Sequence, residues 1–170
     1  VTQRSSALDA KKLADMGKSA AQIKEALEED KFNSSIYIML TTLKDLKKGG
    51  RITPAAAALG TILKLKPVLQ IQGEKLDAFA KARTLNQAKS IMVNAVKSDI
   101  DNRFGGYGEH IIINLAHTMN EEAAKQWKDE LLQEFPKADI YIDRLPLSIA
   151  CHIGAGALAI PCTRQMDYNK

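Results

Sequence analysis

Apolar residues return at three- and four-residue steps from Leu13 through Met16, Ala20, Ile23 and Leu27, a spacing that gathers side chains on one helical face. Gly17 interrupts the run, and Ser19 followed by Gln22 has the form of a capping box, so the pattern predicts two helices meeting near Gly17. A longer stripe, Leu85, Ala88, Ile91, Met92, Ala95, Val96 and Ile100, opens at a second box, Thr84 with Gln87, and ends at FGGYG. A further helix is predicted after Asn120 as cap; it carries Ala124, Trp127 and Leu131 and stops at Phe135 and Pro136. The short segment TLKDLKK reads as a polar helix closed by Gly49 and Gly50.

Between these helices the period changes to two. Ser35 to Thr41 alternates Ile36, Ile38 and Leu40 against Tyr37 and Met39, as a covered strand does. VLQIQ, Gly73 and KLDAFAKAR read as a hairpin, with Gly73 at its turn. HIIINLA and ADIYID predict two more strands, and the tail RLPLSIACHIGAGALAIPC a helical turn and a last buried strand that Pro161 stops. Thr53 and Pro54 open AAAALGTIL, which is apolar on every face and therefore suited to burial or to gating a pocket. Strands alternating with helices imply an α/β fold, and the hairpin requires the sheet layered with those helices to be mixed.

The chain of 170 residues is 45% hydrophobic, enough for a sizeable core, so one domain over residues 1–170 is expected. A charged fraction of 26%, a mean hydropathy of −0.21 and the lack of a long apolar run predict a protein with no transmembrane segment. VTQRSSALDAKK offers neither a signal core nor an initiator Met, so the expectation is a piece of something longer. Two cysteines, Cys151 and Cys162, do not make a disulfide scaffold, and the expected location is cytoplasmic. Charge is concentrated: residues 41–90 hold ten Lys and Arg against three acidic residues, a net +7 that leaves −3 elsewhere. Such a field steers an anionic ligand or an acidic surface; a solvated lysine face is the plainer alternative. Nucleic acid is a further alternative for this basic segment, but no helix-turn-helix pattern is visible and no aromatics interleave with the lysines, so DNA is not the expected partner.

Candidate chemistry is sparse. Cys151 and His152 are adjacent, which places their side chains apart in either a helix or a strand, so a thiol-imidazole enzyme is not expected. His110, His117 and His152 lack metal-ligand spacing, and neither a metal nor a cofactor is expected. Gly154 and Gly156 imitate a dinucleotide fingerprint, but the chain ends before a following helix and acidic residue could complete it. Small residues there permit close backbone packing or approach of an anion to exposed amides. His110 and His117 read as structural. His152, between apolar residues and the glycine-rich turn, reads first as a satisfied core histidine, with an imidazole that pairs with a carboxylate as the alternative.

In order along the chain, LKDLKKGGRIT, AAALGTILKLKPVLQI, GEKLDAFAKAR and CHIGAGALAI resemble the C-terminal motifs of the DegV family, the bacterial fatty-acid-binding proteins. GKSAAQIKEAL resembles the stretch before them, so the likeness covers nearly the whole chain. The resemblance implies the C-terminal, lipid-binding domain of a two-domain protein that is not itself an enzyme. A long-chain fatty acid would be held jointly with the protein's own N-terminal domain, and its carboxylate offered to the catalytic subunit of a fatty acid kinase. Matched position by position, Arg51 and His152 fall near the bound headgroup, which reverses the order of readings for His152. The segment with Ile52, Ala56, Leu59, Ile62 and Leu63 matches the acyl-chain pocket or gate, and Lys81 and Arg83 match a KxR motif read as kinase surface. The chain departs from the family in having Ala155 where Pro is usual between the glycines, and it lacks the hydroxyls the N-terminal domain would supply.

Overall fold

The computed structural model describes residues 2–50, 65–73, 75–106, 111–138 and 140–168. Arg51, Ile52, Ala56, Leu59, Ile62, Leu63 and His110 lie outside them, as does the predicted apolar helix after Thr53. Helices α1 (Thr2–Asp15) and α2 (Ala20–Asp30) meet at Gly17, and the Ser19–Gln22 box is complete: the Ser19 side chain accepts from the Gln22 N–H, and the Gln22 side chain from the Ser19 N–H. Strand β1 (Ser34–Met39) leads to α3 (Lys44–Lys48). The hairpin of β2 (Lys66–Gln72) and β3 (Lys75–Ala82) turns at Gly73, whose φ of +80° suits glycine alone. Next come α4 (Leu85–Asn102), β4 (Ile111–Ile113), β5 (Leu115–His117), α5 (Glu121–Glu134), β6 (Ile142–Arg144), α6 (Leu147–Ile153) and β7 (Leu158–Arg164).

These strands form one mixed sheet in the order β3-β2-β1-β7-β5-β6, with β4 also on β7. Only β5 and β6 run parallel among the described pairs. One face carries Tyr37, Met39, Val68, Leu115, Leu158 and Ile160 and is covered by α4, through Met92 and Val96, and α5, through Trp127 and Leu131. Each large apolar side chain so covered contributes about 1.5–3 kcal/mol. The opposite face carries Ile38, Leu40, Leu69, Ala116 and Ala159, packed by Leu46 of α3 and Ile153 of α6.

Four local expectations need correction. Pro161 does not stop the last strand but sits at the middle of β7, opposite Ile36 of β1. Its missing N–H falls where the neighbouring ladder is broken: β4 and β5 keep one register against β7, separated at Asn114, whose N–H donates to Pro161 O at 3.0 Å. HIIINLA is for the same reason two short strands. Asn120 holds the N-cap position of α5 but makes no side-chain cap bond; its amide goes to Gly156 O instead. At the second predicted box, Thr84 does accept from the Gln87 N–H, while the Gln87 side chain accepts from the Arg83 N–H at 2.7 Å.

Candidate functional site

His152 lies half-buried in the last turn of α6, which packs on α3. Gly49 caps α3 with an ordinary φ of −79°, so its glycine is not demanded by backbone angle. Space demands it: a Cβ at Gly49 would stand 2.8 Å from His152 Nδ1 and 3.5 Å from its Cε1. The imidazole therefore rests against the backbone of Gly49, so the end of α3 and the CHIGAG motif, about a hundred residues apart, share one locality. The contact has a second half. A Cβ at Gly154 (φ +76°) would stand 2.5 Å from Asp45 Oδ2, and one at Gly156 (φ +84°) 2.9 Å from Thr41 Cγ2. Both glycines combine positive φ with backbone approach, the two reasons for which the residue is required.

The turn that follows α6 is tied from two sides. Thr41, just beyond β1, donates to Ala155 O at 3.1 Å, while Thr118 and Asn120 from the β5–α5 junction bond Gly154, Gly156 and Ala157. Sequence reasoning missed Thr41, Asp45, Thr118 and Asn120. The signal was present in part, because Thr118 and Asn120 directly follow a buried strand, but their partners lie some 36 residues away.

Lys81 and Arg83 are both exposed. Between Val68 and Leu69 the β2–β3 register shifts, which makes Phe79 the bulged residue: Leu76 and Ala78 pack with the α3–α6 face, Ala80 and Ala82 with the α4–α5 face. The bulge re-aims the side chains beyond it. Lys81, opposite Pro67, thus falls on the sheet face that α3 and α6 cover, and near the sheet end where β7 begins. Arg83 lies just past the strand.

Neither thiol forms a nucleophile pair among the described groups. Cys151 is exposed; Cys162 is buried, and its burial, with Asp99 adding, pushes its pKa up to about 12. His117 is 4% exposed and its Nδ1 accepts the Asn120 N–H at 3.1 Å, a satisfied core imidazole as expected. Among the described residues no group of three His, Cys, Asp or Glu could hold a metal, and no helix is long and apolar enough to cross a membrane. A cavity of about 420 Å³ lies at the far end of β7, lined by Lys18, Glu25, Asp30, Arg164 and Tyr168 among others, too polar to favour an acyl chain.

The architecture and motifs have close counterparts. A protein of Clostridium acetobutylicum described as DegV domain-containing is 36% identical over 154 residues, covering 91% of this chain and 52% of its own. Protein DegV of Bacillus subtilis is 33% identical over 156 residues, covering 91% and 53%. The chain therefore spans about half the length of the curated relatives it matches. Among solved structures, DegV of Bacillus subtilis, described as a fatty acid binding protein, superposes with a TM-score of 0.77 at 31% identity over 94% of this chain and 55% of that one. A fatty acid binding DegV family protein of Streptococcus agalactiae gives 0.79 at 27%, over 93% and 54%. The model of the family described as "Uncharacterised protein, DegV family" matches residues 1–164, and the chain belongs to the DegV family.

Proposed function

We propose that this chain is the carboxylate-binding half of a fatty-acid carrier, which holds a long-chain fatty acid together with an N-terminal domain and presents the acid group to a partner kinase. The observation that carries the reading is the approach of His152 to Gly49. Arg51 follows the Gly49–Gly50 pair directly in the sequence, and a guanidinium and an imidazole can both pair with one carboxylate. Fatty acid binding by DegV of Bacillus subtilis and by the Streptococcus agalactiae relative supports the ligand class. The chain supplies binding and orientation: the carboxylate is charge-paired while one oxygen stays open to attack the γ-phosphorus of a nucleoside triphosphate held by the kinase, forming the acyl phosphate as the bond to the β,γ-bridging oxygen breaks and the nucleoside diphosphate leaves with that electron pair. Lys81 and Arg83, exposed, are the surface we assign to that partner.

The test uses the full-length protein. Mass spectrometry of its organic extract should find a fatty acid, and Arg51→Ala and His152→Ala should each retain less. With ATP and the kinase, trapping by hydroxylamine should yield a hydroxamate, and Lys81→Glu with Arg83→Glu should lower that yield without emptying the pocket. Full retention and full yield in both headgroup variants would remove Arg51 and His152 from the role.

A further inference from the structure

We infer that the β5–α5 junction is a positioning bracket for the turn that directly follows His152 and α6, with Thr118 and Asn120 as its working side chains. The inference rests on the headgroup role proposed for His152 and adds the residues that set its place.

The bracket is built bond by bond. The Thr118 hydroxyl donates to Gly154 O at 2.7 Å and accepts the Ala157 N–H at 3.0 Å, so one side chain closes the turn at both ends. The Thr118 backbone adds two more bonds, its N–H to Ala157 O at 3.2 Å and its carbonyl from the Gly156 N–H at 2.7 Å. Asn120 Nδ2 donates to Gly156 O at 3.1 Å. With Thr41 on Ala155 O and the Gly154 N–H on Ala150 O, the Ala155 N–H is the one backbone group from Gly154 to Ala157 without a partner among the described residues.

Two features separate this from ordinary loop packing. Asn120 stands where its side chain would cap α5, yet the amide leaves the helix end and reaches 36 residues along the chain to the turn. Met119, between the two bracket residues, has φ +50°, the only non-glycine residue so placed among those described. Such a conformation persists where its neighbours over-determine it, and Thr118 and Asn120, pinned on either side, do so. Thr118 itself is 1% exposed, so water cannot replace its hydroxyl.

The experiment compares Thr118→Val, Thr118→Ser and Asn120→Ala in the full-length protein by two readouts: the imidazole ring resonances of His152 by NMR, and retention of added palmitate. Thr118→Val should displace the His152 resonances and lower retention about tenfold, and Thr118→Ser should restore both. Asn120→Ala should move the same resonances less; because Asn120 makes no cap bond, α5 keeps its end and this variant remains informative if Thr118→Val does not fold. Unmoved His152 resonances in the Thr118→Val and Asn120→Ala proteins would overturn the bracket whatever the lipid does. Unchanged palmitate retention in His152→Ala would instead overturn the proposed function, so the two failures are read on different measurements.

Discussion

The Tyr37 hydroxyl donates to Asp99 Oδ2 at 2.7 Å, joining β1 to α4 across 62 residues of sequence within the buried layer. Arg103, one helical turn on, donates from Nη1 to Asp99 Oδ1 at 2.7 Å and to Ser35 Oγ at 2.6 Å, and its Nη2 reaches Phe32 O at 2.5 Å. Burial, with the Asp99 bond and charge adding, raises the Tyr37 pKa, so the phenol stays protonated and remains a donor. Tyr37→Phe leaves one Asp99 oxygen short of a partner and should cost about 1–3 kcal/mol. Asp99→Ala takes the acceptor from the phenol and the carboxylate from the guanidinium, which keeps Ser35 and Phe32 O, and should cost about 2–4 kcal/mol. Thermal melts check the order: both variants lower Tm, Asp99→Ala by the larger amount, roughly 5–15 °C. Equal melts would show that the cluster does not tie β1 to α4.

What is legible in the sequence and what is not divides by distance. The α4 stripe from Leu85 to Ile100 and the Ser19–Gln22 box need only neighbours within a few residues, and both stand as read. The break at Asn114 depends on Pro161 lying opposite in another strand, and no window around HIIINLA contains that information. Asn120 reads as a cap because its local alternatives favour one; Gly156, brought in by the sheet, competes for its amide and wins. The alternation of KLDAFAKAR likewise gives no sign of the slip at Phe79 that sends Lys81 to the other face. His152 and Arg51 can be paired only through resemblance, since the Gly49 contact is tertiary.

Asp30 gives the fold a pH dependence. Burial raises its carboxyl above the usual 3.8, with Asp9 adding to the rise and the Asn33 bond and Arg164 opposing it. The folded chain therefore holds this proton more tightly than the unfolded one. Its contribution to stability is fully present below the unfolded value and is lost as pH rises through the folded value. Asp30→Asn keeps an oxygen to accept from Asn33 Nδ2 but has no charge to desolvate. The variant should melt above the parent near about pH 7 and match it near about pH 3. A lower melt near neutrality would mean that the charged form of Asp30 is itself needed.

The two thiols should separate by reactivity. A thiol reacts as its thiolate, and Cys162, buried and pushed up to about 12, offers almost none near neutral pH, whereas Cys151 is exposed. Iodoacetamide followed by peptide mass spectrometry should label Cys151 in the native protein and Cys162 only in denaturant. Native labelling of Cys162 would indicate that β7 opens without global unfolding.

Adjacent glycines should give opposite phenotypes, because each is glycine for a different reason. Gly50 has φ +62° and nothing within 4 Å of a built Cβ, so Gly50→Ala meets only backbone strain, about 1 kcal/mol. Gly49 is unstrained but its Cβ would reach His152 Nδ1, the movable end of a side chain, at 2.8 Å. Relief comes by swinging the imidazole away, which costs little stability and removes the ring from its place. In the full-length protein, Gly50→Ala should lower Tm by a few degrees, with the His152 resonances and palmitate retention near those of the parent. Gly49→Ala should melt close to the parent yet lose retention about as far as His152→Ala does. If Gly49→Ala keeps its fatty acid while the His152 resonances move, the imidazole does not hold the headgroup, and the contact on which the proposed site rests is packing alone.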